Sequence, residues 1–258
     1  NGYKSLTQHI GQLYIDKKNY LLWVGTSTYT HACFDMKQNK FVDFTSIGDT
    51  ERPYRKIKHY GNDTWMFSNT SGIRHITFDN GKFSLTDYTA ENHELKSNDI
   101  RELCEDNNHS VWAASTKGMI KISPNRKATI LEGDIEFLGC IAYKDKILAF
   151  SKKNQTAYIF NSNGNLKNKC ILASVMGRIG AIKGAIVWHG KWIMFTNDAT
   201  YSLDINARKF EKDSKLFFKF GIKFNQFIRG KPHVGCIFGS IIHLCQNPTN
   251  PFYCLITQ

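Results

Sequence analysis

The stretch EDNNHSVWAASTKGMIKISP, Glu105 to Pro124, decides the fold. It opens with an acidic, amide-rich turn. A single Trp then heads a short apolar run ending in Ser-Thr, a Lys-Gly turn follows, and a second apolar run stops at Pro. Two short runs joined by a Gly-containing turn read as a hairpin. Whether the hairpin stands alone or repeats is the deciding question, because a period near 40 residues implies blades arranged around an axis.

It repeats. Trp112-Ala113-Ala114-Ser115 aligns with Trp23-Val24-Gly25-Thr26, Trp65-Met66-Phe67-Ser68, Leu148-Ala149-Phe150-Ser151 and Ile193-Met194-Phe195-Thr196. A weaker sixth copy falls near Val234-Gly235-Cys236-Ile237-Phe238. Each anchor run is preceded by an apolar strand and a polar turn, such as Asp106-Asn107-Asn108-His109 or Gly61-Asn62-Asp63. Each is followed by an alternating strand, as at 72–76, 118–122, 156–160 and 200–204, and a fourth run closes the unit, as at 41–44, 83–86 and 209–211. Four short antiparallel strands every ~40 residues are the period of a propeller blade. A lone four-stranded sheet cannot bury both faces, so such units pack against one another. The expected fold is all-β, a β-propeller of about six four-stranded antiparallel blades within a range of five to seven. Residues 1–258 are expected to form a single propeller domain or a fragment of one, and residues 2–6 are expected to close the ring by pairing with 252–257. The anchor Trp is expected to fill the space between blades, and the Ser or Thr three residues on to bond backbone at the strand end.

Composition agrees. Aromatics are plentiful, with 18 Phe, 11 Tyr and 5 Trp against 5 Pro, and no long stretch has helical spacing of apolar residues. No apolar run approaches the ~18 residues of a membrane span. The chain starts Asn1-Gly2-Tyr3-Lys4 without Met or a signal-type apolar segment, and so reads as a mature or trimmed segment. Seven scattered cysteines, Cys33, Cys104, Cys140, Cys170, Cys236, Cys245 and Cys254, contain no Cys-x-x-Cys pair. They argue against a zinc site or a disulfide framework and for small buried hydrophobes. The formal charge is +12, which attracts polyanions. Because Lys occurs as singles and pairs, nucleic acid is not an expected partner.

The segment NDIRELCEDNNHSVWAASTKGMIKISP, Asn98 to Pro124, resembles the two-component regulator propeller repeat. LYIDKKNYLLWVGTS, Leu13 to Ser27, is similar to the first half of that repeat, and NDTWMFSNTSGIRHI, Asn62 to Ile76, follows its outline. Two departures stand in the third copy: Asn108-His109 occupies a place where the family often has Gly, and Ala114 replaces the Gly before Ser115. The resemblance implies the extracytoplasmic, periplasmic sensor portion of a bacterial hybrid two-component system, many of which respond to polysaccharide breakdown products. It also implies that a kinase core lies outside this segment and that partners include a downstream signalling module or a second copy. The other readings of the same fold are a protein–protein scaffold and a polysaccharide-acting enzyme propeller.

Nothing in the residues points to catalysis. Nine histidines lack paired-ligand spacing, and neither a Gly-x-Ser-x-Gly elbow nor a P-loop occurs. The histidines read as turn and surface-strand residues. Glu102, Glu105 and Asp106 form a dense acidic knot, for which turn chemistry accounts better than paired-carboxylate hydrolysis. In VWHGKW, Val187 to Trp192, two Trp flank a tight turn, one expected in the core and one at an edge. No catalytic residue, metal or cofactor is expected. Binding concentrates on loops of a rigid scaffold. The loops after the anchor strands and between blades carry Tyr29, Arg52, Tyr54, Arg55, Asn69, Lys117, Lys152 and Arg178. These are the candidate ligand-binding residues, for an oligosaccharide or anionic ligand.

Overall fold

The computed structural model describes residues 10–26, 31–44, 52, 54–151, 155–171, 182–188, 191–196, 200–204 and 209–212. The chain falls into two compact units, Asn1–Cys140 and Ile141–Gln258. The first holds three four-stranded sheets. Blade one is β1 (Ile10–Asp16), β2 (Leu21–Thr26), β3 (His31–Asp35) and β4 (Lys40–Phe41). Blade two is β5 (Lys56–Tyr60), β6 (Asp63–Phe67), β7 (Ile73–Asp79) and β8 (Lys82–Tyr88). Blade three is β9 (Ile100–Glu105), β10 (Val111–Ser115), β11 (Gly118–Ile122) and β12 (Ala128–Leu131). Blade four, β13 (Gly139–Tyr143), β14 (Lys146–Ser151), β15 (Thr156–Asn161) and β16 (Leu166–Ile171), begins at the unit boundary. Blade five is β17 (Ile182–Trp188), β18 (Lys191–Thr196), β19 (Thr200–Asp204) and β20 (Lys209–Lys212). In every sheet the strands lie in sequence order. The sixth anchor near 234–238 and the expected pairing of 2–6 with 252–257 lie outside the described residues.

The anchors hold one register. Trp23, Trp65, Trp112, Leu148 and Ile193 all lie on the second strand of their blades, and all are buried. Because successive side chains on a strand point to opposite faces, an anchor and the residue after it face different neighbours. Blade two demonstrates this. Trp65 packs with Leu103, Val111 and Ala113 of blade three. Met66 instead joins Leu21, Trp23 and Cys33 of blade one. In the second unit, Leu148 and Phe150 of blade four meet Trp192 and Met194 of blade five. Of the VWHGKW pair, Trp192 lies in this core, and the Trp188 side chain lies outside the described residues.

The turns are held by side chains that the sequence places at fixed offsets. The Asp106 carboxylate is buried and accepts from the backbone N–H of Asn108 and Ser110, both at 2.9 Å, and from the Trp112 indole N–H at 2.7 Å. One carboxylate therefore ties the β9–β10 turn to the anchor of the next strand. Asp16 does the same local work in blade one, accepting from the backbone N–H of Lys18 and Asn19. At the other strand end, Ser115 Oγ donates to the Gly118 carbonyl at 2.8 Å, and Ser68 Oγ accepts from the Ser71 N–H at 3.0 Å. His109, in the place where the family often has Gly, has φ 58. His is among the residues that tolerate this left-handed region best. Gly72 immediately precedes β7 at φ +76, and a Cβ there would lie 2.3 Å from the Tyr88 carbonyl oxygen. Only Gly fits there.

Three expectations differ from what is found. The fourth strand of blade one is the two-residue β4, shorter than 41–44, although the Val42 N–H still bonds the Cys33 carbonyl at 2.8 Å. His75 is not a surface residue. It is buried, stacked on Trp65 at 4.0 Å between centroids, with Nε2 2.9 Å from Asp63. His59 is partly buried and stacks on Tyr14 at 3.4 Å. Both sit where blades meet, and a flat ring fills that space as well as an apolar one.

Trp112→Ala is expected to cost roughly 3–5 kcal/mol, the usual penalty for deleting a large core side chain. Urea denaturation of the full chain measures it. A loss below about 1 kcal/mol contradicts a core role.

Candidate functional site

Four of the residues singled out for ligand binding, Arg52, Arg55, Asn69 and Lys117, lie in or beside the loops at the end of the blades bearing the β6–β7 and β10–β11 turns. Asn69 and Lys117 are exposed in those turns. Arg55, also exposed, precedes β5, and its N–H bonds the Phe67 carbonyl at 3.2 Å. Arg52 is partly exposed, with Nη1 3.6 Å from Glu91 Oε2. That pair is solvated and holds its partners loosely. Tyr54 is placed differently. It is 1% exposed, its ring lies in the core shared by blades one and two, and the Arg74 guanidinium sits 5.1 Å above the centroid. Its ring offers no open face for stacking. Tyr29, Lys152 and Arg178 lie outside the described residues.

Beneath this end, Arg74 anchors the inter-blade core. It is buried and makes a two-pronged bond to Asp87, Nε to Oδ1 at 2.7 Å and Nη2 to Oδ2 at 2.8 Å. Arg74 and Asp87 are direct cross-strand partners on β7 and β8. Sequence reasoning missed this pair, yet the signal was present. Asn80 and Gly81, at φ 49 and 79, form the tight hairpin turn, and counting outward from it pairs 74 with 87.

The first strands carry a second charged group. β9 lies at the edge of its sheet, so half its backbone groups have no strand partner. Two lysines from β5 occupy that edge. Lys56 Nζ donates to the Arg101 carbonyl at 2.9 Å, and Lys58 Nζ to the Leu103 carbonyl at 3.1 Å. Both flank Glu102, whose Oε1 is 3.0 Å from Lys58 Nζ and whose Oε2 is 3.5 Å from Lys56 Nζ. Burial opposes ionisation of Glu102, but Lys58 and then Lys56 overcome it and hold the carboxyl at about 2. Burial likewise opposes the charge on Lys58, and Glu102 raises its pKa nonetheless. The acidic knot of the sequence therefore separates into three tasks. Glu102 pairs with lysines, Asp106 ties its turn to Trp112, and Glu105 accepts from or ion-pairs with His109 Nδ1 at 3.0 Å.

At the opposite end, the turns of blades one and two frame a cleft of about 450 Å³ lined by Lys18, Asn19, Lys37, Asn62 and Asn80 among others. Lys18 Nζ donates to Asn62 Oδ1 across it at 3.2 Å. Among the described residues no cluster of three or more His, Cys, Asp or Glu could hold a metal ion, and no helix is long and apolar enough to cross a membrane.

The depressed Glu102 carboxyl has a defined pH signature. Its stabilisation is complete above the ordinary carboxylate value and is lost as pH falls through about 2. Glu102→Gln is expected to lower stability at pH 7 by roughly 2–3 kcal/mol, with the gap closing as acid protonates the native residue. Urea titrations at stepped pH measure the gap. A difference unchanged between neutral and strongly acid pH contradicts the pairing.

No protein-family model matches this sequence, and no curated protein matches it. Solved structures do. The extracellular domain of a putative hybrid two component system from B. thetaiotaomicron is 17% identical, with TM-score 0.58, over 80% of this chain and 29% of that one. A streptogramin B lyase is 10% identical, with TM-score 0.59, over 80% of this chain and 68% of that one. The Pan2 WD40 domain of Neurospora crassa is 11% identical, with TM-score 0.50, over 80% and 66%. This chain thus spans less than a third of the extracellular domain it matches. A signalling ectodomain, a lyase and a WD40 domain share architecture and not chemistry. The likeness establishes the fold, a β-propeller.

Proposed function

We propose that this chain is the ligand- or partner-sensing propeller of a bacterial two-component regulator, placed outside the cytoplasm and not itself catalytic. The observation that carries this reading is the repeat at Leu13–Ser27 and Asn98–Pro124, an Asp-capped turn feeding a Trp-headed second strand. It resembles the two-component propeller repeat. The likeness of fold to an extracellular domain of a putative hybrid two component system supports it further. The ligand we assign is an oligosaccharide, hydroxyl-rich or anionic. It meets the blade end that carries Arg52, Arg55, Asn69 and Lys117, with Tyr29, Lys152 and Arg178 contributing from equivalent loop positions in the sequence. A guanidinium can grip a carboxylate or sulfate with two parallel bonds, and amide side chains match sugar hydroxyls.

A net charge of +12 also attracts any polyanion, but such binding disappears with salt. A true site keeps part of its affinity at ~0.5 M salt, where exposed charges are screened beyond a few Å. Calorimetry against neutral, uronic and sulfated oligosaccharides, with heparin and duplex DNA as controls, tests this. The expected result is preference for one glycan class, weakened roughly 10–100-fold in an Arg52→Ala, Arg55→Ala, Lys117→Ala triple variant with unchanged melting. Equal affinity for every polyanion, abolished by salt, overturns the glycan assignment. Absence of binding to all of them leaves a protein partner as the sensed species.

A further inference from the structure

We infer that Cys104 and Cys140 become a disulfide when this chain folds in an oxidising compartment. Cys104 lies on β9 and Cys140 on β13. Each is 8% exposed. The Cys140 sulfur sits 3.7 Å from the Glu102 carbonyl oxygen and 3.6 Å from the Trp112 carbonyl oxygen. Trp112 is the direct cross-strand partner of Cys104, and Glu102 lies two residues before it. Residues two apart on a strand share a face, as do cross-strand partners. Cys140 therefore rests against the backbone that carries Cys104. Both thiols are free in this structure, and closing the bond brings the two sulfurs to about 2.0 Å.

The other buried cysteines differ. Cys33 packs among Leu21, Trp23 and Met66, and Cys170 among Leu148, Phe150 and Trp192. Among the described residues, neither core cluster holds a second cysteine. They serve as internal controls.

The chemistry balances with a small-molecule disulfide as oxidant. The thiolate of one cysteine attacks a sulfur of that disulfide and releases one small thiol, leaving a mixed disulfide on the protein. The second cysteine, as thiolate, attacks the protein sulfur and releases the other small thiol. One S–S bond forms, one breaks, and the two cysteine protons end on the two released thiols. Burial first, and then the neighbouring Cys140, push the Cys104 thiol well above its ordinary range. The attacking thiolate is therefore scarce in the folded protein, and the bond closes during folding, before the strands bury it.

From the proposed function the inference takes only the oxidising compartment, and its geometry is independent of that reading. The test is to refold the full chain in a glutathione redox buffer, alkylate free thiols, digest, and identify linked peptides by mass spectrometry. The expected result is one cross-linked pair joining Cys104 to Cys140, with Cys33 and Cys170 alkylated once the chain is unfolded. The bond closes a loop of roughly 40 residues, so the melting temperature should fall by roughly 5–15 °C on adding reductant. That reductant dependence should vanish in both Cys104→Ala and Cys140→Ala. Recovery of Cys104 and Cys140 as free thiols, as separate glutathione adducts, or as partners of other cysteines overturns the inference. The glycan titration has no bearing on this result: a chain that binds no sugar and forms the bond supports the inference and fails only the ligand assignment.

Discussion

Each sheet here has two apolar faces and therefore cannot stand alone. The second strand sets this constraint: Trp65 points into one neighbouring sheet and Met66 into the other. Removing apolar surface from water is the main favourable contribution to folding, and here that burial occurs between sheets. The turns follow from the same requirement. Asp106 reaches past its own turn to the Trp112 indole, so the residue that closes the hairpin also sets the orientation of that buried anchor side chain. The carboxylate satisfies the buried N–H groups of Ser110 and the Trp112 indole, which left unpaired would cost about 1–3 kcal/mol each.

The same stacking explains where charge is found. An edge strand with free carbonyls would recruit another strand. Lys56 and Lys58 of blade two cover the edge of β9 by donating to the Arg101 and Leu103 carbonyls, and Glu102 pairs with both, balancing one of the two charges. This lysine–glutamate group is part of the scaffold. Lys56, Lys58 and Arg74 therefore serve the scaffold, and the proposed ligand surface draws instead on the turn residues Asn69 and Lys117 and the flanking Arg52 and Arg55.

The repeat was legible because its signals are local. The Trp-to-Ser spacing marked the second strand, and the glycines at 72 and 118 marked the approach to the third: Gly72 at φ +76 would put a Cβ 2.3 Å from the Tyr88 carbonyl oxygen, and Gly118 at φ +116 would put one 2.9 Å from the Leu131 carbonyl oxygen, so both places need Gly. The exposed turn residues were legible for the same reason. What the sequence hid depends on contacts between blades. His75 and His59 read as polar surface residues, but His59 stacks on Tyr14 of the neighbouring blade, and His75 is buried against its cross-strand partner Trp65, whose ring packs with blade three. Tyr54 read as a loop aromatic, but the Arg74–Asp87 pair beneath it holds its ring inside. Lys56 with Arg101 and Lys58 with Leu103 are 45 residues apart, one blade period. The repeat that reveals the fold therefore also identifies which distant residues meet, once the first strands are known to lie side by side.

The central claim is that second-strand side chains couple neighbouring blades. A double-mutant cycle between Trp23 and Met66, which share one core cluster from different sheets, tests it most directly. Stability of the full chain is measured by urea denaturation for Trp23→Leu, Met66→Ala and the double variant. Contact across the blades predicts a coupling of roughly 0.5–3 kcal/mol, with the double variant less destabilised than the sum of the singles. Strict additivity within about 0.3 kcal/mol would contradict it, and would mean that each sheet is stabilised without its neighbour.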